Sequence, residues 1–182
     1  MPFPRLSNEQ LEWVIQQVAE YIERQRQTYR SGAVSLNAAQ KAAMQPFFLP
    51  STLESARVLV LTGERVGNPP FYRALVQVGF DAGALPNFSL MAAITFVDTV
   101  VSHESFTDGL LFHELVHVVQ YEKLGLERFA DKYVRGYLSG GSYDGIPLEM
   151  NAYELDARFA GAPTKAFSVS DEVEMWVRAE RF

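Results

Sequence analysis

The stretch Leu110–Tyr121 reads LLFHELVHVVQY. Drawn as a helix, it has Leu110, Leu111, Phe112, Leu115, Val116, Val118 and Val119 all round its axis. A helix apolar on every side has no wet face and belongs in a protein interior. Four polar side chains nevertheless lie inside it: His113, Glu114, His117 and Gln120. Buried polar groups are costly unless something satisfies them. His113 and His117 are four residues apart, so both imidazoles leave the same face. Glu114 is turned by about 100° from His113, beside that line but off it. This is the His-Glu-x-x-His arrangement of a zinc hydrolase, two ligands and a general base. The plainer reading is a core helix with two internally satisfied histidines.

A catalytic zinc site takes three protein ligands and keeps one position open for water. The longer HExxHxxGxxH pattern is excluded, because Gln120 stands at its glycine and Lys123 at its last histidine. The third histidine of the chain, His103, is one alternative ligand, although a turn histidine is its ordinary role. A carboxylate is the other solution. Glu122 points away round the same helix, and Glu127 follows the terminating Gly125 too closely to fold back. Glu149 and Glu154, in PLEMNAYELDA, are about 140° apart on one helix, so only one can face the metal. Glu149 is preferred. It follows Pro147 in a first helical turn, where the dipole favours a carboxylate. It also shares a face with the small Ala152 and with Asp156, a residue placed to orient a ligand.

The rest of the chain reads as α+β, mostly helical with a small sheet. Residues 1–50 form an N-terminal helical segment and 51–182 the domain that carries the motif. Ser7 and Gln10 form a capping box. Leu11, Val14, Ile15, Val18, Tyr21 and Ile22 then keep the helical period to about Ser31-Gly32. Ser35 is read as the cap of a second helix reaching Met44, closed by Pro46 and Pro50. Arg57–Thr62 reads as a buried strand. Asn68 and Pro69 are read as the start of a helix to Val78, and residues 79–86 as loop. Ala92–Val101 is read as one strand, interrupted by Asp98 at an edge or bulge. Thr107 or Asp108 starts the central helix and Gly125 ends it. Helices follow over Leu126–Leu138, from Pro147 to about Ala160, and from a Ser170 cap onward.

Composition bounds the function. The net charge of −6 comes with no basic patch, which argues against a nucleic-acid partner. No apolar run approaches the ~20 residues of a membrane span. The absence of cysteine excludes disulfides and thiolate zinc sites. MPFPRLSNEQ does not read as a secretion signal, so a cytoplasmic location is expected.

LLFHELVHVVQYEKLGLERFADKY, with AAITFVDTVV before it and IPLEMNAYELDARF after it, resembles the small bacterial HExxH domains of the eCIS-core metallopeptidase-like (DUF4157) kind. More broadly it resembles the gluzincins, such as thermolysin. The likeness spans roughly residues 91–160, and residues 1–90 carry none. It implies a zincin-like fold and a zinc-dependent peptidase. In that family a Glu in a segment like IPLE is the third ligand, which implies Glu149. Four residues later thermolysin-like enzymes carry an Asp that orients the first histidine; here that position is Tyr153, a departure that leaves the role to Asp156 or to another arrangement.

The expected chemistry is hydrolysis of a peptide or protein substrate. His113, His117 and Glu149 hold Zn²⁺, and Glu114 takes a proton from water and passes it to the leaving amine. The strand before the central helix is a candidate edge for holding an extended peptide. Tyr133, Tyr137, Tyr143 and Tyr153 are the candidates for stabilising an oxyanion. The alternative is a zinc-binding accessory domain without catalysis, or a latent enzyme covered by its own residues 1–50. Oligomeric state is left open.

Overall fold

Residues 3–182 are described by a computed structural model. The chain opens with α1 (Asn8–Arg30), whose Ser7 and Gln10 form the reciprocal capping box. A short strand β1 (Val34–Ser35) leads to α2 (Ala38–Met44). The cap of α2 is Asn37 rather than Ser35, because Ser35 is extended in β1. Pro50 starts a helix instead of only closing one: α3 (Pro50–Ser55) has it at the first turn, where its missing N–H is harmless. Then come β2 (Arg57–Val60) and α4 (Tyr72–Gln77). The helix expected from Asn68 begins later, since the Asn68 side chain instead accepts from the Phe88 N–H. In β2 only Val58 is buried, so this strand is less enclosed than its apolar sequence suggests.

The expected single strand over residues 92–101 is a hairpin, β3 (Ala93–Phe96) and β4 (Thr99–Ser102). Its turn is Val97-Asp98. Val97 has φ 60°, a conformation a β-branched residue adopts only under strain. Asp98 is neither a bulge nor a bare edge: Arg26 of α1 donates to its two carboxylate oxygens through Nε and Nη2, at 2.8 and 3.0 Å, and Arg30 reaches it at 2.6 Å. These ion pairs hold the hairpin tip to α1 and offset its strain.

The four strands run in the order β1-β2-β4-β3, with β2 and β4 parallel and the other pairs antiparallel. β3 is therefore an edge strand. The remaining helices are α5 (Asp108–Leu124), α6 (Leu126–Gly140), α7 (Pro147–Gly161) and α8 (Val169–Arg178). Ser168, not Ser170, caps α8, leaving Ser170 buried inside it. α5 is capped by Thr107 and stopped by Gly125 at φ 75°. From Leu111 to Tyr121 all but His113 are buried. The helix feeds both buried apolar clusters: Phe112 and Val116 pack with Phe47, Phe48 and Phe159, while Tyr121 and Leu124 pack with Phe96 and Phe129. Residues before position 50 contribute to both, Met44 and Phe48 to one, Val14 and Tyr21 to the other.

Candidate metal centre

Two helices build the site. α5 carries His113 and His117 one turn apart, with ring centroids 5.0 Å from each other. α7 crosses α5 and presents Glu149 from its first turn. Its close approach depends on small residues: Ala152 is fully buried in this packing. Glycines in α6 do the same at the start of α7. A Cβ at Gly136 would lie 2.6 Å from the Pro147 ring, and one at Gly140 would collide with the Gly145 backbone. Side chains at these positions would displace the start of α7, and Glu149 with it, from its place against α6.

Glu149 Oε2 lies 3.3 Å from His117 Nε2 and 3.7 Å from His113 Nε2. One ligand atom from each of the three residues falls within 4.8 Å of the others. Bonds of 2.0–2.1 Å in a tetrahedron put neighbouring donors about 3.3–3.4 Å apart. The two Glu149 separations lie close to that edge length. Oε2 is buried with no well-aligned hydrogen bond, so an acceptor oxygen is left facing two imidazole nitrogens. The residues present therefore fit a divalent cation. Without one, they form a coupled buried pair. Burial raises the Glu149 carboxyl, but the charge of His117 and contacts with His113, His117 and Tyr143 hold it well below the usual carboxylate range. Burial lowers His117, and Glu149, Glu114 and Gln120 outweigh that to push it up to about 9.

Glu114 is buried beside this cluster. Thr95 of β3 donates its hydroxyl to Glu114 Oε2 at 2.7 Å and also approaches the Glu114 carbonyl at 3.2 Å. Glu114 Oε1 has no such partner among the described residues. Glu114, His117 and Glu149 open onto a cavity of ≈ 70 Å³, lined also by Tyr21, Tyr72, Thr95, Tyr133 and Tyr143. Of the candidate tyrosines, Tyr133 and Tyr143 line this cavity. Tyr153 lies outside it, its ring 4.7 Å from that of His113, and the Tyr137 hydroxyl bonds the Ala84 carbonyl.

The other acidic and histidine candidates are elsewhere. Glu154 is exposed. Glu122 accepts from the Thr52 hydroxyl at 2.9 Å, and Glu127 is exposed. His103 is fixed as a clamp: its Nδ1 bonds the Met91 carbonyl at 2.6 Å and its Nε2 accepts from Val66 N–H at 2.9 Å. Both ring nitrogens are thus engaged with backbone, away from the site. Asp156 makes no hydrogen bond to His113 among the described residues. Burial raises its carboxyl and the charge of His113 offsets part of that.

Two residues were not assigned these roles from the sequence. Gln120 accepts from His117 Nδ1, and Thr95 anchors Glu114. A sequence signal existed for the first: Gln120 is a polar residue three after His117 in a helix with no wet face. None existed for Thr95, because its partner depends on how the hairpin meets α5.

No family model, curated protein or solved structure matches this chain. Among the described residues no helix is long and apolar enough to cross a membrane.

Proposed function

We propose that the chain is a zinc-dependent metallopeptidase of the gluzincin kind, similar to the eCIS-core metallopeptidase-like domains. The observation that carries this reading is the convergence of His113, His117 and Glu149 with the buried Glu114 beside them. Zinc held by those three residues would supply a Lewis acid that polarises a peptide carbonyl and acidifies water. Glu114 is the base. Thr95 occupies its Oε2 and leaves Oε1 to accept a proton, which the carboxyl then carries to the departing amine. A peptide would lie extended along β3, the strand that ends the sheet beside α5.

Glu114→Gln tests the base. Peptide hydrolysis should fall by roughly 10²–10⁴-fold while one zinc per chain is retained. Hydrolysis at the wild-type rate would end the assignment.

A second reading, latency, is favoured by a specific observation. Val18, Tyr21 and Ile22 of α1 roof the cavity, and every residue of β3 is buried although it is an edge strand. Tyr29 stacks on Phe96 at 6.1 Å, and Arg26 and Arg30 hold the hairpin tip. A peptide reaches β3 only if α1 moves. Arg26→Gln combined with Arg30→Gln should then raise hydrolysis above wild type; an unchanged rate rules latency out.

A further inference from the structure

We propose that Gln120 is a positioning residue. It fixes the tautomer of His117 and ties that ring to the helix carrying Glu149. The inference rests on the metal-centre reading of the site and adds a residue that acts through a ligand rather than as one.

The side chain of Gln120 is fully buried in the middle of α5. Its Nε2 donates to the Leu148 carbonyl at 2.9 Å and to Asn151 Oδ1 at 3.0 Å. The Leu148 acceptor is a backbone carbonyl, which cannot exchange roles as the Asn151 amide can, so it orients the amide: turning Gln120 over would set its oxygen against that carbonyl. Gln120 Oε1 is therefore the atom facing His117 Nδ1, at 2.9 Å. That oxygen only accepts, so Nδ1 must carry the proton. In a neutral imidazole the lone pair is then on Nε2, the nitrogen aimed at Glu149. This is the tautomer a metal needs. Leu148 is the residue before Glu149, so one amide sets both the protonation of a ligand and the spacing between two ligands. His113 has no counterpart: none of the described residues accepts a hydrogen bond from its ring.

The plainer role for Gln120 is a satisfied polar joint between two helices. Two substitutions separate the roles. Gln120→Met keeps the length of the side chain and removes both functions. Gln120→Glu keeps an acceptor for His117 and removes the donors to α7. Asn151 Nδ2, buried without a partner, can turn to meet the new carboxylate.

The measurement is zinc affinity of the full chain by competition with a chromophoric chelator. The absorption spectrum of the cobalt-substituted protein and the melting temperature of each metal-free variant accompany it. Gln120→Met should bind zinc about 10–100-fold more weakly than wild type, and Gln120→Glu should bind at least as tightly as wild type. The cobalt spectra should shift in both, because the basicity of one ligand changes. A packing role predicts the opposite pattern, with zinc affinity unchanged in the folded variants or falling equally in both; either result overturns the inference. Should Gln120→Met not fold, Gln120→Glu decides alone: affinity at or above wild type supports the role, and a 10–100-fold fall overturns it. Wild type that takes up no zinc overturns the metal-centre reading itself, which a failure confined to the variants does not.

Discussion

His113 and His117 sit one turn apart on the same helix, and their side chains are almost equally shielded, 11% and 8% exposed. Their surroundings are nevertheless different. His117 is hydrogen-bonded through Nδ1 to Gln120, whose amide is itself locked to α7. His113 leans on the ring of Tyr153, a half-exposed residue, and has no hydrogen bond to hold its tautomer. Burial alone does not make a side chain rigid; what counts is whether each polar atom has one partner in one direction. The site thus has a locked half and a loose half, with Glu149 between them.

The comparison is broken most directly in the metal-free chain. His117→Ala strips Glu149 of its nearer positive partner and leaves a buried carboxylate, at a cost of about 3–5 kcal/mol. His113→Ala loses a ring contact with Tyr153, about 0.5–1.5 kcal/mol, and only the longer, 3.7 Å approach to Glu149. Denaturant unfolding checks the ratio, and equal losses would mean the two halves are not different. The same experiment has a pH signature. With burial overcome by Glu149, His117 titrates at about 9 instead of 6.5. A raised basic group stabilises fully below its unfolded value, and that contribution is lost as pH climbs from 6.5 through about 9. Glu149 is depressed, so its contribution is present above its ordinary 4.5 and disappears as pH falls through its folded value. Wild-type protein without metal should therefore lose stability between pH 6.5 and 9, and His117→Ala should lose less across that interval. Parallel curves would show that the pair does not form.

The locked half also explains what could be read from the sequence. The HELVH pattern was legible because its polar residues interrupt an otherwise continuous apolar surface. Glu149 could be favoured over Glu154 because the helix dipole and the small Ala152 are local properties of one segment. The structure accordingly brings Glu149 to the histidines and leaves Glu154 in solvent. The mostly helical α+β class followed from periodicity and caps in the same way. The missed elements are those whose cause is non-local. Val97-Asp98 lacks the glycine or asparagine that announces a two-residue turn, and the hairpin is held by Arg26 and Arg30, some seventy residues away. Pro50 signals a helix start as readily as a stop, and only the packing of Leu53 in the core decides which. Gln120 was visible as a buried polar residue, but its partners Leu148 and Asn151 lie on another helix.

Asp156 gives the smallest expected effect and the sharpest test of the loose half. Its helical position makes it one candidate to orient a ligand, the alternative being another arrangement around the histidines. Tyr153 stands where thermolysin-like enzymes carry the orienting Asp, so Asp156 is the nearby carboxylate that could replace it. The structure gives it charge proximity to His113 but no hydrogen bond. A partly solvated charge acting without a hydrogen bond is worth about 0–1 kcal/mol. Asp156→Asn should therefore change zinc affinity by less than about fivefold, since 1.4 kcal/mol is needed for tenfold. A carboxylate that fixed His113 through Nδ1 would cost 10–100-fold when replaced. The two outcomes do not overlap. The larger loss would mean that metal uptake rotates His113 onto Asp156 and locks the second half as well. The smaller loss would leave His113 as the one ligand free to adjust, with Gln120 holding the other in place.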